Sequence, residues 1–349
     1  MSRLRDFLRG ETNFDFVGRR RQWFRISAAA LIVSLAALLI RDLNLGIEFQ
    51  GGITITASNP NGARVEDLRD ITRQAGITDA VIQLVDDGQT IRLQAPALEQ
   101  ARQDQLVDEV ASATGASRAE ISVDAVGPSF GALIFRQSII ALVVFLGAVM
   151  LFMTWRLEWK MAAAGIVSLL HDLVITVGVY AITGFEVTPA TVVAALTILG
   201  YSLYDTVVVF DKIDEHVADY GDRMTYTAIA NRATNQIMPR SVITALTSLL
   251  PVGSILFVGS FIFGASSLRD FALALFVGIA VGTYSSVCVA TPLLATWKER
   301  EDDWSSRRRR LESKGQAVTA APTARTVTEP AIPVRGTGAT PRPPKKRRR

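Results

Sequence analysis

Six apolar runs, nearly free of charge, punctuate the chain: Ile26–Ile40, Gln137–Trp155, Met161–Thr183, Ala190–Phe210, Ser241–Gly264 and Phe271–Trp297. A helix needs about 20 mainly apolar residues to cross a bilayer, with about 17–25 tolerated, so the last five are long enough as they stand. The first is short, but Arg25 and Arg41 can snorkel and Trp23 and Phe24 lengthen its start. Its Arg-rich lead also fits a signal peptide. The run passes into Arg41-Asp42-Leu43-Asn44, however, and not into a small-residue cleavage site, which favours an uncleaved first helix. The pattern predicts a polytopic α-helical membrane protein with six transmembrane helices, at about 23–41, 135–155, 161–183, 188–210, 240–264 and 270–297.

Between the first two runs the periodicity changes. Residues 42–131 read as strand 53–58, helix 64–75, strand 80–85, strand 90–95, helix 97–114 and strand 119–126. Alternation carries Val81–Val85 and Thr90–Gln94, joined through Asp86-Asp87-Gly88-Gln89. Val65, Leu68, Ile71 and Thr72 give the first helix an apolar face; Leu106, Val107 and Val110 do the same for the second. The order β-α-β-β-α-β predicts a ferredoxin-like α+β domain, a fold that hosts many functions and argues for none. Gly51-Gly52 before its first strand and Gly127, Pro128 and Gly131 after its last predict a hinge or a close turn at each junction.

Charge orients the helices. Arg3, Arg5, Arg9, Arg19, Arg20, Arg21 and Arg25 precede the first helix. Arg156 and Lys160 lie between the second and third, and Lys212, Arg223, Arg232 and Arg240 between the fourth and fifth. Both termini are therefore expected in the cytoplasm and the 42–131 domain outside it. Residues 1–22 read as a basic, lipid-facing lead, and residues 298–349 as a disordered basic tail drawn to anionic lipids. The net charge of +4 hides this split, since residues 42–130 carry 14 acids against 6 bases. Nucleic acid is thus not an expected partner. The single cysteine, Cys288, lies in the last apolar run, so no disulfide holds the domain.

The chemistry sits in what interrupts the apolar runs. Asp205 is alone in the fourth, beside Tyr201, Ser202, Tyr204 and Thr206. An Asp at a helix centre costs about 2.5–3.5 kcal/mol on insertion, so it needs a task or a partner. Helical spacing puts Thr197, Tyr201, Tyr204, Asp205 and Val208 on one face, expected to look into the bundle. A second carboxylate, Asp172, follows His171 in the third helix. A lone histidine there is better read as a hydrogen-bonded structural residue, and with only His171 and His216 in the chain neither a metal site nor another cofactor is expected. Past the fourth helix, an amphipathic helix near Thr225–Gln236 precedes Pro239, which is placed in the first turn of helix five. Arg240 beside it has two readings, an anchor at the membrane surface or a partner for Asp205. Thr244, Thr247 and Ser248 come next on the same helix, Pro251 permits a kink, and Gly278 with Gly282 makes a small face for close helix contact.

Four stretches together resemble the SecF family, the smaller subunit of the bacterial SecD–SecF protein-export complex within the resistance-nodulation-division superfamily. They are Gly46–Gly52 (GIEFQGG), Val126–Gly131 (VGPSFG), His171-Asp172 and, most specific, Gly200–Asp211 (GYSLYDTVVVFD). The likeness covers about residues 12–300. It implies a SecD partner completing a twelve-helix unit, and work with the SecYEG translocon and its preproteins, with a YidC-type insertase and YajC nearby. It also implies a bacterial inner-membrane location and a proton gradient as the driving force, with Asp205 and Arg240 as the proton-carrying pair, Asp172 as a further relay candidate, and Thr197, Tyr201, Tyr204, Thr244 and Thr247 as the supporting polar face. Proton affinity of a carboxylate depends on its burial and on its distance from a guanidinium, so relative movement of the two residues would act as a switch without covalent chemistry, and no enzyme activity is implied. Two other classes stay open: half of an exporter of small molecules or lipids, and a structural assembly factor.

Overall fold

The computed structural model describes residues 12–77, 80–85, 88–259 and 266–313. Among the described residues six helices are long and apolar enough to cross a membrane. They are α1 (Arg20–Arg41), α5 (Pro128–Arg156), α6 (Trp159–Thr183), α7 (Pro189–Tyr220), α8 (Tyr226–Ser254) and α9 (Ser266–Ser285), with α8 and α9 each extended by a π-helical turn, Ile255–Gly259 and Ser286–Ala290. The last continues as α10 (Thr291–Lys298). Half or more of the most apolar window is buried in α6 and in Arg269–Lys298 (50% and 56%), against 11% in α1 and α5 and 17% in α8. The centre of the bundle is therefore α6 and α9 with α7 beside them; α1, α5 and α8 are peripheral. Small residues set the crossings. Gly282 of α9 leaves a Cβ only 2.8 Å from Ser202 of α7, and Gly178 of α6 packs on Ser34 of α1.

The sheet domain sits between α1 and α5. A short helix α2 (Ile47–Gln50) leads to β1 (Gly52–Ser58), then α3 (Val65–Gln74), β2 (Val81–Val85), β3 (Thr90–Ala95), α4 (Gln100–Thr114) and β4 (Ser122–Val126). The strands form an antiparallel sheet in the order β2-β3-β1-β4, with Ile55 opposite both Leu93 and Val123. Ile53, Ile55, Ile91 and Leu93 pack against Leu68 of α3 and against Leu106, Val107 and Val110 of α4. These are the apolar positions that alternation and helical spacing single out.

Of four expectations, one is narrowed and three change. At the glycine junctions the packing fits the close turn and not the loose hinge. A Cβ on Gly51 (φ +75°) would meet the Pro128 backbone, one on Gly52 (φ +141°) the Ala95 carbonyl, and one on Gly131 the Gly51 amide at 2.8 Å. The two glycine stretches interlock, so the expected hinge at Gly51, Gly52 and Gly131 is a tight joint; Gly127 has open space and Pro128 opens α5. Second, Pro239 lies inside α8 and not at its start. The helix begins at Tyr226 because Tyr226, Ile229, Ala230 and Ala233 make an apolar face that packs on Phe210 and Ile213 of the extended α7. Third, the lead is not lipid-facing throughout. Phe16 and Val17 are buried, and their amides, with that of Phe14, donate to Asn231 and Asn235 of α8 at 2.8–3.2 Å. Residues 1–11 lie outside the described residues. Fourth, the segment after Lys298 is helical, not disordered, as far as it is described. In α11 (Asp302–Ser313) Trp304 and Leu311, seven apart, share a buried face, and Trp304 meets Tyr226 edge-on with ring centroids 5.0 Å apart. The basic run beyond Ser313 lies outside the described residues.

Candidate functional site: two buried carboxylates between membrane-length helices

Asp205 sits in the middle of α7, 5% exposed, at the contact with α8. Its Oδ1 accepts a hydrogen bond from the Ser241 hydroxyl at 2.9 Å, while Oδ2 is buried without a partner among the described residues. An unpaired buried carboxylate oxygen is costly unless a proton or a moving cation reaches it. Arg240 is adjacent to Ser241 on α8 but is exposed and turned the other way. It donates to the Tyr204 hydroxyl, and its guanidinium lies 5.5 Å from that ring's centroid. Among the described residues it makes no ion pair within 4.0 Å. The two members of the expected pair thus share one junction without touching.

The polar stripe of α7 divides. Ser202, Asp205 and Thr206 face inward, whereas Thr197 and Tyr204 are exposed and Tyr201 is half-buried. Small side chains take the inward face because α9 crosses there at Gly278 and Gly282, leaving no room for a tyrosine. Thr247 of α8 is also exposed and Thr244 half-buried, their hydroxyls bonded to carbonyls of their own helix. The residues expected to form a supporting face thus lie toward the outside of this chain and not in its bundle.

Asp172 is the better-satisfied carboxylate. At 1% exposure it sits among α6, α7 and α9, where Oδ1 pairs with His171 Nδ1 at 3.0 Å and Oδ2 accepts from Ser202 at 2.7 Å and Ser285 at 2.8 Å. Next to it the Thr206 and Ser286 hydroxyls are 2.9 Å apart. Ser286 opens the π-helical turn Ser286–Ala290. Such turns change helix register locally and gather at functional sites. His171 Nε2 has no partner among the described residues, and its ring lies 6.3 Å from that of Tyr284, whose hydroxyl is 3.0 Å from Ser27 on α1. Sequence reading misses Ser241, and it does not join Ser285 to Asp172. A serine one turn from a buried Asp is a local signal, as at Ser202; serines on other helices carry none.

A family model described as "Protein export membrane protein SecD/SecF, C-terminal" matches residues 106–300. A protein translocase subunit SecF from Streptomyces coelicolor is 42% identical over 307 residues, covering 87% of this chain and 82% of that protein. SecF of Mycobacterium tuberculosis is 41% identical, covering 84% and 69%. The SecDF subunit of Thermus thermophilus is 35% identical over 298 residues, and this chain spans 39% of its length. A crystal structure of SecDF from that organism, described as a translocon-associated membrane protein, superposes with a TM-score of 0.76 at 34% identity, over 83% of this chain and 39% of that one.

Proposed function

This chain belongs to the SecF family of protein translocase subunits, and from that membership and the site's geometry we propose that it is one half of a proton-driven export unit. The other half is a SecD-type subunit, as in the SecDF protein, where a single chain is more than twice as long as the segment matched here. The pair uses the proton gradient to assist late movement of preproteins through the SecYEG channel in the bacterial inner membrane, with YidC-type and YajC proteins as neighbours. Both termini face the cytoplasm. The sheet domain, with its 4-1-3-2 antiparallel order of ferredoxin-like type, projects outside as residues 42–131. The basic tail rests on anionic lipids.

The observation that carries this reading is Asp205, a buried carboxylate in mid-helix with one oxygen held by Ser241 and the other unpartnered. Arg240, one residue from Ser241 and held on the exposed Tyr204, is the cation that moves toward it. Approach of a guanidinium favours the charged carboxylate and expels its proton; withdrawal favours uptake. Each proton crossing supplies about 2.3 kcal/mol per 100 mV. Asp172, held by a histidine and two serines, is the secondary relay, tying any shift of α7 to α6 and α9. The packed glycine joint carries those shifts to the sheet domain.

The test is release of a preprotein from membranes depleted of ATP with a proton gradient imposed. Asp205→Asn keeps size and hydrogen bonding but cannot ionise, so the complex should assemble at normal abundance and fail to release. Normal release by that variant would leave Asp205 a structural residue.

A further inference from the structure

Far from Asp205, where the sheet domain meets the helix ends, lies a cluster that the proton switch leaves unused. Glu186, in the α6–α7 connection, is 8% exposed. Its Oε2 is 3.1 Å from Arg92 Nη1, and its Oε1 accepts from Gln94 Nε2 at 2.6 Å. Arg92 and Gln94 are two apart on β3 and so share one face of the strand. Both oxygens of a buried carboxylate are thus held by the sheet domain, on a residue three positions before α7 begins.

The backbone around Glu186 is held from a second direction. Val187 donates its amide to the Asn44 carbonyl at 2.8 Å, Gly46 donates to the Val187 carbonyl at 2.9 Å, and Asn44 reaches the Gly184 carbonyl at 3.1 Å. The segment leaving α1 therefore pairs with the connection, and Glu186 is the point where β3 grips the same strand from the other side. Thr188 caps α7 directly afterward. From there a rigid helix runs to Asp205, about 24 Å along at 1.5 Å per residue.

We propose that the Arg92–Glu186 pair is the clasp by which the sheet domain holds the leading end of α7, and that a proton taken up by Glu186 from the sheet-domain side opens it. Glu186 is then a positioning residue for the proton switch, a role that rests on the proton-driven export reading. Every charged neighbour bears on it. Arg92 faces it from β3 and Glu48 from α2, near enough that a Cβ at Gly46 would touch both carboxylates, while Asp270 and Arg269 lie at the start of the Arg269–Lys298 span. Burial pushes the Glu186 carboxyl above the usual range, against the pull of Arg92 and Gln94 and with the push of Glu48. It accordingly takes up a proton at a higher pH than a solvated glutamate. Neutral Glu186 keeps an acceptor but loses the ion pair, leaving Arg92 partly buried (side chain 17% exposed) beside an uncharged group.

Hydrogen exchange of the full chain in lipid nanodiscs reads the clasp directly, through the Gly46 and Val187 amides and corrected for intrinsic rates. Wild-type protection should fall about tenfold between pH 8 and pH 5. Glu186→Gln should be low at both pH values with no fall between them, and Arg92→Gln should lower protection at pH 8, because each removes the ion pair. Wild-type protection that is flat with pH, or Glu186→Gln protection that still falls as the wild type's does, would overturn the clasp. No export is needed for this measurement. Normal export by Asp205→Asn would therefore sink the proton-switch reading and leave the clasp standing, whereas flat protection sinks the clasp alone.

Discussion

At the scale of single residues the site turns on what Arg240 is doing. Its guanidinium lies over the Tyr204 ring and donates to that residue's hydroxyl, so it is parked by two contacts on one side chain. Lysine keeps the charge but loses the planar fork that can pass from a phenol to a carboxylate. Arg240→Lys should therefore lower gradient-driven preprotein release about tenfold or more with subunit abundance unchanged; release at the wild-type rate would show that any cation suffices. Asp205→Glu, which retains a titrating group displaced by one methylene, should keep part of the activity in the same assay, and complete loss would mean that the position tolerates no displacement. The two buried carboxylates, Asp205 and Asp172, were legible in the chain, because a charge in an apolar run stands out. Their partners were not. Ser241, Ser285 and Tyr284 come from other helices, and serine and tyrosine cost so little in an apolar helix that their presence marks nothing. Glu186, Arg92 and Gln94 were equally silent, being ordinary residues of a loop and a strand until the fold brings them together.

At the scale of elements the apolar pattern gave the number of membrane-length helices and the position of every strand, and it erred where apolarity stops before the helix does. The run ending at Phe210 marks where hydropathy falls, yet α7 continues to Tyr220 because Ile213 and His216 stay buried against α8. The same blindness made the segment after Lys298 look like a free tail. Its first part is organised by one aromatic contact. Trp304 fits against Tyr226, and Arg307 and Arg310 donate to the Gly221 and Asp222 carbonyls in the α7–α8 turn. Glu301, just before α11, binds Lys160 at 2.7 Å and Lys298 at 3.2 Å; these bonds hold its carboxyl below the usual range although burial works the other way. A Trp→Ala change in a packed site costs about 3–5 kcal/mol, and a third of that already shifts local opening about tenfold. Trp304→Ala should thus speed tryptic cleavage at Arg309 and Arg310 about tenfold or more while the sheet domain stays resistant. Cleavage at the wild-type rate would mean that the arginine contacts, and not the tryptophan, hold α11 down.

At the scale of the whole molecule the decisive feature is a surface with the wrong chemistry for lipid. Thr197 and Tyr204 of α7 and Arg240 and Thr247 of α8 are exposed together, with Thr244 half-buried among them and Ile243, Leu246 and Leu250 alongside. Between Ile26 and Ile40 of α1, by contrast, every exposed residue is apolar, Ile32, Val33, Leu35, Leu39 and Ile40 among them. A row of hydroxyls and a guanidinium at membrane depth is expensive against hydrocarbon and ordinary against another protein. We therefore expect the SecD-type half to dock on the α7–α8 side, which would place Asp205 close to the centre of the joined unit. A photoreactive amino acid at Thr247 should crosslink to the partner subunit in native membranes, while the same group at Leu39, 85% exposed on α1, should capture lipid. Membranes lacking the partner should yield lipid adducts from both positions. A partner adduct from Leu39 and none from Thr247 would put the second half on the α1 side. Asp205 would then sit at the rim of the assembly, and a switch that needs both halves around it would have no way to close.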